Sequence, residues 1–208
     1  KIMQLDLPSY LPSLIFPLTG SMGLPVSYYA FGEKGLALAI VYFTFGAIGT
    51  FTLGAAIAAG TISFKKLAKA PVIYAVAIAV TLQLNSTPLP EWIFNTTNLL
   101  GGIVIPAQLV ALGVSLLELK TGGIARSSFL GLFRLAMGVG VGFLVADAFG
   151  LEGAARAIVI IQSAMPVAVS SYLFAQQYKR KPEEVAGMVV VSTAASFVTL
   201  PLLLLAVL

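Results

Sequence analysis

Two stretches of the chain place proline and small residues where an apolar run should continue. The first, LTGSMGLPV at residues 18–26, carries Thr19, Gly20, Ser21, Gly23 and Pro25. The second, IQSAMPVAVSS at residues 161–171, carries Ser163, Met165, Pro166, Ser170 and Ser171. Glycine and proline weaken or interrupt a helix and free its backbone N–H and C=O groups. A half-helix that begins at such a break offers unpaired N–H groups and about half a positive charge. Two such ends facing one cavity bind an anion without lysine or arginine. The expected donors are the backbone around Gly23 to Pro25 and around Ala164 to Pro166. A kink is expected over Gly20–Leu24, with Thr19 or Ser21 capping the second half-helix and Pro25 in its first turn. The hydroxyls of Thr19, Ser21, Ser163, Ser170 and Ser171 would support the donors; their other use is ordinary hydrogen bonding between helices.

Few other residues inside the apolar runs carry chemistry. Arg134 is the one basic residue well inside a run. It either snorkels to the headgroups or faces the bundle in a functional role. Gln108, with Asn98 before it, either lines a cavity or bridges helices. The sequence has no histidine and no cysteine. That removes imidazole acid–base chemistry, thiol nucleophiles and Cys/His metal sites. Only Asp6 and Asp147 could form an aspartyl pair, and both are peripheral. The expectation is therefore no enzyme, no cofactor and no metal. No carboxylate lies deep in an apolar run, so no ligand for a coupling ion is evident.

These residues need elements to hold them. Of 208 residues, 59% are hydrophobic and 10% charged, against about 25% charged in soluble domains. Lipid must be the solvent for much of this surface. Since about 20 apolar residues cross a bilayer, seven spans are expected, at 9–32, 36–60, 68–85, 91–117, 127–148, 154–177 and 183–207. Turn chemistry separates them, as in Gly32-Glu33-Lys34-Gly35, Gly150-Leu151-Glu152-Gly153 and Lys181-Pro182. The excess of 12 Lys+Arg over 8 Asp+Glu concentrates in alternate loops, at Lys65, Lys66 and Lys69, then Lys120 and Arg126, then Lys179, Arg180 and Lys181. That alternation places those loops in the cytoplasm and the C-terminus outside a cell (inner) membrane. It also accounts for the basic balance without a nucleic-acid partner.

The two interrupted spans are first and sixth, so they cross in opposite directions. Gly23-Leu24-Pro25-Val26 matches Ala164-Met165-Pro166-Val167 in design, and Thr52-Leu53-Gly54 falls near the depth of Thr199-Leu200-Pro201. An internal repeat of inverted topology follows, with substrate between the breaks. On this reading residues 1–60 are the last two spans of one five-helix repeat and residues 61–208 form a complete second repeat. Three further spans are expected before Lys1, making ten. The fold class is all-α and polytopic, with inverted five-helix repeats and two crossed discontinuous helices.

LPSLIFPLTGSMGLPVSYYAFG at residues 11–32 resembles the auxin efflux carrier family of membrane transporters, its bacterial members more than the plant PIN-FORMED exporters. The likeness extends through LGGIVIPAQLVALGVSLLEL, QSAMPVAVSSYLFAQQY and EEVAGMVVVSTAASFVTLPLLLL. It implies ten spans and crossed broken helices that hold a small organic anion, such as a dicarboxylate or indole-3-acetate. The family usually has Asn-Thr-Gly-Asn before its Met-Gly-Leu-Pro stretch. Leu18 and Ser21 stand at those two Asn positions, and Ser171 stands where an Asn is common in the second stretch. A hydroxyl offers fewer hydrogen bonds than an amide, and leucine offers none. The expected function is a secondary carrier of small organic anions working by alternating access, forming a homodimer through the scaffold spans three and four. The alternatives are a sodium-coupled carrier of bile-acid type and an anion-binding sensor that has lost transport.

Overall fold

Proline sets both interruptions. The computed structural model describes residues 6–60, 89–118 and 121–207, with residues 74, 75, 78, 81, 82 and 85. Helix α1 (Leu7–Ile15) has a proline in its first turn, where a missing N–H is tolerated. It stops at Phe16, the residue before Pro17. A pre-proline residue is pushed out of the helical region, and Phe16 is extended at φ −96°, ψ 114°. Beyond Leu18 the chain winds a wide π-type turn, Thr19–Gly23, into α2 (Leu24–Gly49), with Pro25 inside the first turn of α2. The break thus falls at Phe16–Leu18 and not at the expected Gly20–Leu24. Pro25 starts a helix and does not break one.

Gly32 then turns the chain back. Its φ of 62° with ψ of −151° lies in a region open essentially to glycine alone. Thr19 faces Gly46, Gly20 faces the Phe43 ring, and the Ser27 carbonyl abuts Gly35. Partners whose numbers fall on one side as they rise on the other define an antiparallel helical hairpin. A second π turn, Thr50–Gly54, leads into the short α3 (Ala55–Ala59), which ends on Gly60.

The remaining helices are α4 (Glu91–Glu118), α5 (Ile124–Ala148), α6 (Gly153–Ser163), α7 (Val169–Gln177) and α8 (Pro182–Val207). α5 packs on α6 and α8, α6 packs on α2, and α4 passes the Thr19–Gly23 turn. α6 and α7 are the halves of the second interrupted segment, parted by Ala164–Ala168 around Pro166. The two interruptions meet. Pro17 and Val167 form an antiparallel bridge. Leu18 N–H donates to the Pro166 carbonyl at 2.8 Å, and Ala168 N–H donates to the Phe16 carbonyl at 3.4 Å. The broken segments therefore cross at their breaks and run in opposite senses there.

The core is mostly hydrophobic but holds fully buried polar side chains, and the exterior carries large apolar ones. Gln162, Ser27, Ser13, Ser192 and Ser196 are fully buried, while Phe45, Phe197, Leu144 and Leu205 are exposed. Such an apolar exterior suits lipid and not water. Among the described residues, three helices are long and apolar enough to cross a membrane: Thr19–Ala59, Ile124–Ala148 and Pro182–Val207. The chain is thus a membrane-embedded, multi-pass, all-α protein. Seven spans are not seen as seven such helices. Each half of the second broken segment is too short on its own, the second expected span and the part of the first after its break form one continuous element, Thr19–Ala59, α4 covers the expected 91–117 without being one of the three, and most of 68–85 lies outside the described residues.

Candidate functional site

At the crossing, irregular backbone sits deep in the molecule. Residues 161–168 are all buried. Irregular backbone at such depth needs protein partners, because lipid supplies none. The bridge serves two N–H groups, and Val167 N–H donates to Ser192 Oγ of α8 at 3.0 Å. Both carboxyl-side half-helices start beside the bridge, one at Thr19 and the other at Val169. The first-turn N–H groups of Gly20, Ser21 and Met22, and of Val169 and Ser170, have no intrahelical acceptor by position. The two positive ends thus arise within a few residues of one crossing.

This register differs from the one expected. Gly23 N–H is already bonded to the Leu18 carbonyl at 3.3 Å, and Pro25 has no N–H to offer. Both are buried. Gly23 serves instead as a close-approach point, since a Cβ there would strike the Gln162 side chain. Thr19 is buried, with Gly20 and Ser21 half-buried beside it. On the second segment Met165 and Pro166 are buried in the packed break, Ser170 is half-buried, and Ser171 Oγ is buried without a hydrogen-bond partner among the described residues. Ser163 Oγ pairs with the Tyr42 hydroxyl at 2.9 Å. Gln108 lies in α4, and its side chain falls outside the described residues. Asn98 is exposed on α4.

Arg134 resolves one of the open alternatives. It is 2% exposed, so it does not reach the headgroups. Its Nη1 and Nη2 both donate to the Ser163 carbonyl at 3.2 Å, and its Nε has no hydrogen-bond partner among the described residues. The approach needs small residues on α5. A Cβ on Gly138 would collide with the Ser163 carbonyl and with Arg134 Nη1, and one on Gly142 would meet Ile160 Cα at 2.9 Å. Arg134, Gly138 and Gly142 recur every fourth residue, one face of a helix. That spacing was a readable signal for where Arg134 points.

Two cavities adjoin the crossing and share Ile15, Pro17 and Tyr42. One of about 80 Å³ is lined by Arg134, Ser163, Gly138 and Tyr42, room for a carboxylate-sized group. The other, about 500 Å³, has an apolar wall that includes Phe16, Leu38, Phe45 and Ile158. Among the described residues, the carboxylates lie away from the crossing, at helix ends or next to the Gly32 corner. Among the described residues no group of His, Cys, Asp or Glu could hold a metal ion. Each break brings one positive and one negative half-helix end to the crossing, and the Arg134 guanidinium meets the negative end of α6. Tyr42, Gln162 and Ser192 were missed in the sequence. Gln162 lies within the second stretch; Tyr42 and Ser192 carry no local mark and are found only by packing.

The sequence has relatives. The family described as "Membrane transport protein" matches residues 55–204, well over half of the chain. The chain belongs to the membrane transport protein family. This is the auxin-efflux-carrier-like family of the resemblance, and a transporter family, not an enzyme family. An uncharacterized transporter of Methanocaldococcus jannaschii is 26% identical over 201 residues, covering 88% of this chain and 63% of that protein. An uncharacterized transporter of Methanothermobacter thermautotrophicus is 25% identical over 195 residues, with the same shares of 88% and 63%. The chain therefore spans less than two-thirds of the length of these membrane transport relatives. No solved structure matches.

Proposed function

We propose that this chain carries the substrate-binding core of a secondary transporter that moves small organic anions by alternating access. The observation behind this reading is the antiparallel bridge between Pro17 and Val167, from which two half-helices start with their positive ends together. Anions are the ligands such ends favour. A buried arginine at the same crossing and carboxylates confined to helix ends agree with it. Membership of a membrane transport family supports transport over simple binding.

In this reading the anion contacts Thr19, Gly20 and Ser21 on one segment and Ser170 and Ser171 on the other. Ser163, Met165, Pro166 and Gly23 shape the crossing, Pro25 starts the helix that follows the first break, and Gln108 completes the wall from α4. Residues 1–60 and 61–208 belong to two inverted five-helix repeats, with seven of ten spans in this chain. The broken helices and the spans after them rock against a scaffold that includes spans three and four, which also form a homodimer. The protein sits in the inner membrane with its C-terminus outside. Uptake assays on the complete protein in proteoliposomes, across a panel of mono- and dicarboxylates, test the reading. Saturable uptake of at least one carboxylate is expected. Saturable binding without uptake would replace the carrier with a sensor.

A further inference from the structure

The amino-side half of the second broken segment, α6, ends inside the molecule at Ser163. Its last carbonyls have no intrahelical donors and carry about half a negative charge. In transporters with broken helices, such carboxyl ends and unwound carbonyls coordinate the sodium or proton that drives the cycle. Here the end carbonyl is already occupied. Arg134 Nη1 and Nη2 both reach the Ser163 carbonyl at 3.2 Å. Arginine is permanently charged, and this one is 2% exposed. A buried cation needs a compensating partner, yet among the described residues no carboxylate lies in the helix interiors, since all are at helix ends or the Gly32 corner. The half-helix end is the partner that remains. Gly138 makes the contact sterically possible, because a Cβ there would collide with both the Ser163 carbonyl and Arg134 Nη1.

We propose that Arg134 is a tethered cation that neutralises the carboxyl end of α6, standing where a mobile coupling cation would otherwise bind, so that the crossing holds its anion without sodium. Arg134 is then a positioning residue. It fixes the end of α6, and with it the start of the break, by charge and by two parallel hydrogen bonds. The tether is covalent, so it stays in place whether the cavity is empty or filled. The carrier is relieved of a sodium requirement at this position. The idea rests on the reading of the crossing as an anion site.

The test separates the two. The complete protein is purified in detergent, with no carboxylate present, in sodium chloride or in choline chloride. The wild type is expected to have the same Tm in both. Removing one partner of a buried charge contact is strongly destabilising, so Arg134→Met should lower Tm by roughly 5–10 °C. Millimolar guanidinium or sodium, and not choline, should recover most of that loss. Arg134→Lys should fall between the two with no response to sodium, and it serves if Arg134→Met does not fold. A wild-type Tm that rises specifically with sodium overturns the proposal, as does an Arg134→Met loss that no cation restores. Carboxylate uptake is measured separately. If the wild type moves no carboxylate while this pattern of Tm holds, the anion-carrier reading fails and the tethered cation stands. If carboxylate uptake requires sodium, the tethered cation fails and the carrier stands.

Discussion

The two breaks solve one problem differently. The second, Ala164–Ala168, is short and wholly buried, and helices on either side hold it by side chains. Arg134 of α5 grips the Ser163 carbonyl before it, and Ser192 of α8 accepts from Val167 within it. The first, Phe16–Leu18, has no such side-chain hydrogen bonds among the described residues. It leans on the backbone of the second through the Leu18–Pro166 and Ala168–Phe16 hydrogen bonds. It then widens into the Thr19–Gly23 π turn, in which Gly20 and Ser21 are only half-buried. The second break is a braced frame and the first is fitted to it. The more open, hydroxyl-bearing Thr19–Ser21 turn is where a ligand gains contact with least disturbance of packing.

The largest way to break this comparison is to remove a helix breaker. Pro17→Ala lifts the pre-proline restriction on Phe16 and lets α1 extend into the crossing. Misplacing the half-helix ends by an ångström is worth about a hundredfold in rate, so carboxylate uptake should fall by about that factor. Pro166→Ala should do the same. Uptake near wild type in both variants would show that the breaks do not depend on proline. Gly138→Val comes next. Its side chain has no room against the Ser163 carbonyl, and overpacking of this kind costs about 1–3 kcal/mol, read as a lower Tm in detergent.

Ser192→Ala sharpens the contrast between frame and fitted partner. It strands the Val167 N–H in a dry interior, at a cost of about 1–3 kcal/mol, and thermal unfolding should register it. Pro25→Ala should change stability by no more than about 1 kcal/mol, through the unfolded chain, and leave uptake nearly intact, since Pro25 sits within a continuous helix. The smallest effect is expected at the end of the bundle. Glu184 accepts from the Tyr10 hydroxyl at 2.6 Å and lies 3.4 Å from Arg126, but Arg126 is 40% exposed. Glu184→Gln should therefore shift stability by about 1 kcal/mol or less.

Both interruptions were legible in the residues, as were their opposite senses, because glycine and proline inside apolar runs have few other readings. The first was placed several residues too late. Gly-Ser-Met-Gly-Leu-Pro is the conspicuous motif, but a proline in the first turn of a helix is at ease there, whereas Pro17 acts on the residue before it. The Gly32 corner was legible as a turn, and Gly32 carries its strained dihedrals. The face of Arg134 was left open because snorkelling and burial differ only in what lies opposite. The four-residue recurrence through Gly138 and Gly142 marks the close helix contact, yet only the partner α6 gives it meaning. Tyr42 reaches Ser163 from 121 positions away, a pairing that no local pattern encodes. The backbone donors shifted for the same reason as the first break: the half-helix starts at Thr19, so Gly23 is already inside its hydrogen-bond ladder.

The crossing itself is tested most directly by joining it covalently. These 208 residues hold no native cysteine, so Phe16→Cys with Ala168→Cys, a pair that flanks the Pro17–Val167 bridge and keeps both prolines, introduces the only two thiols among them. Residues opposed across an antiparallel bridge lie within disulfide reach, with Cα atoms about 4.5–5.5 Å apart. After mild oxidation of the folded protein in membranes, the unfolded chain is probed with a maleimide for free thiols. The account predicts that this pair closes and leaves no free thiol, while Phe16→Cys with Leu173→Cys, a control on the exposed face of α7, keeps both. Two free thiols in the bridge pair, in a protein that otherwise retains its wild-type Tm, would contradict the crossing.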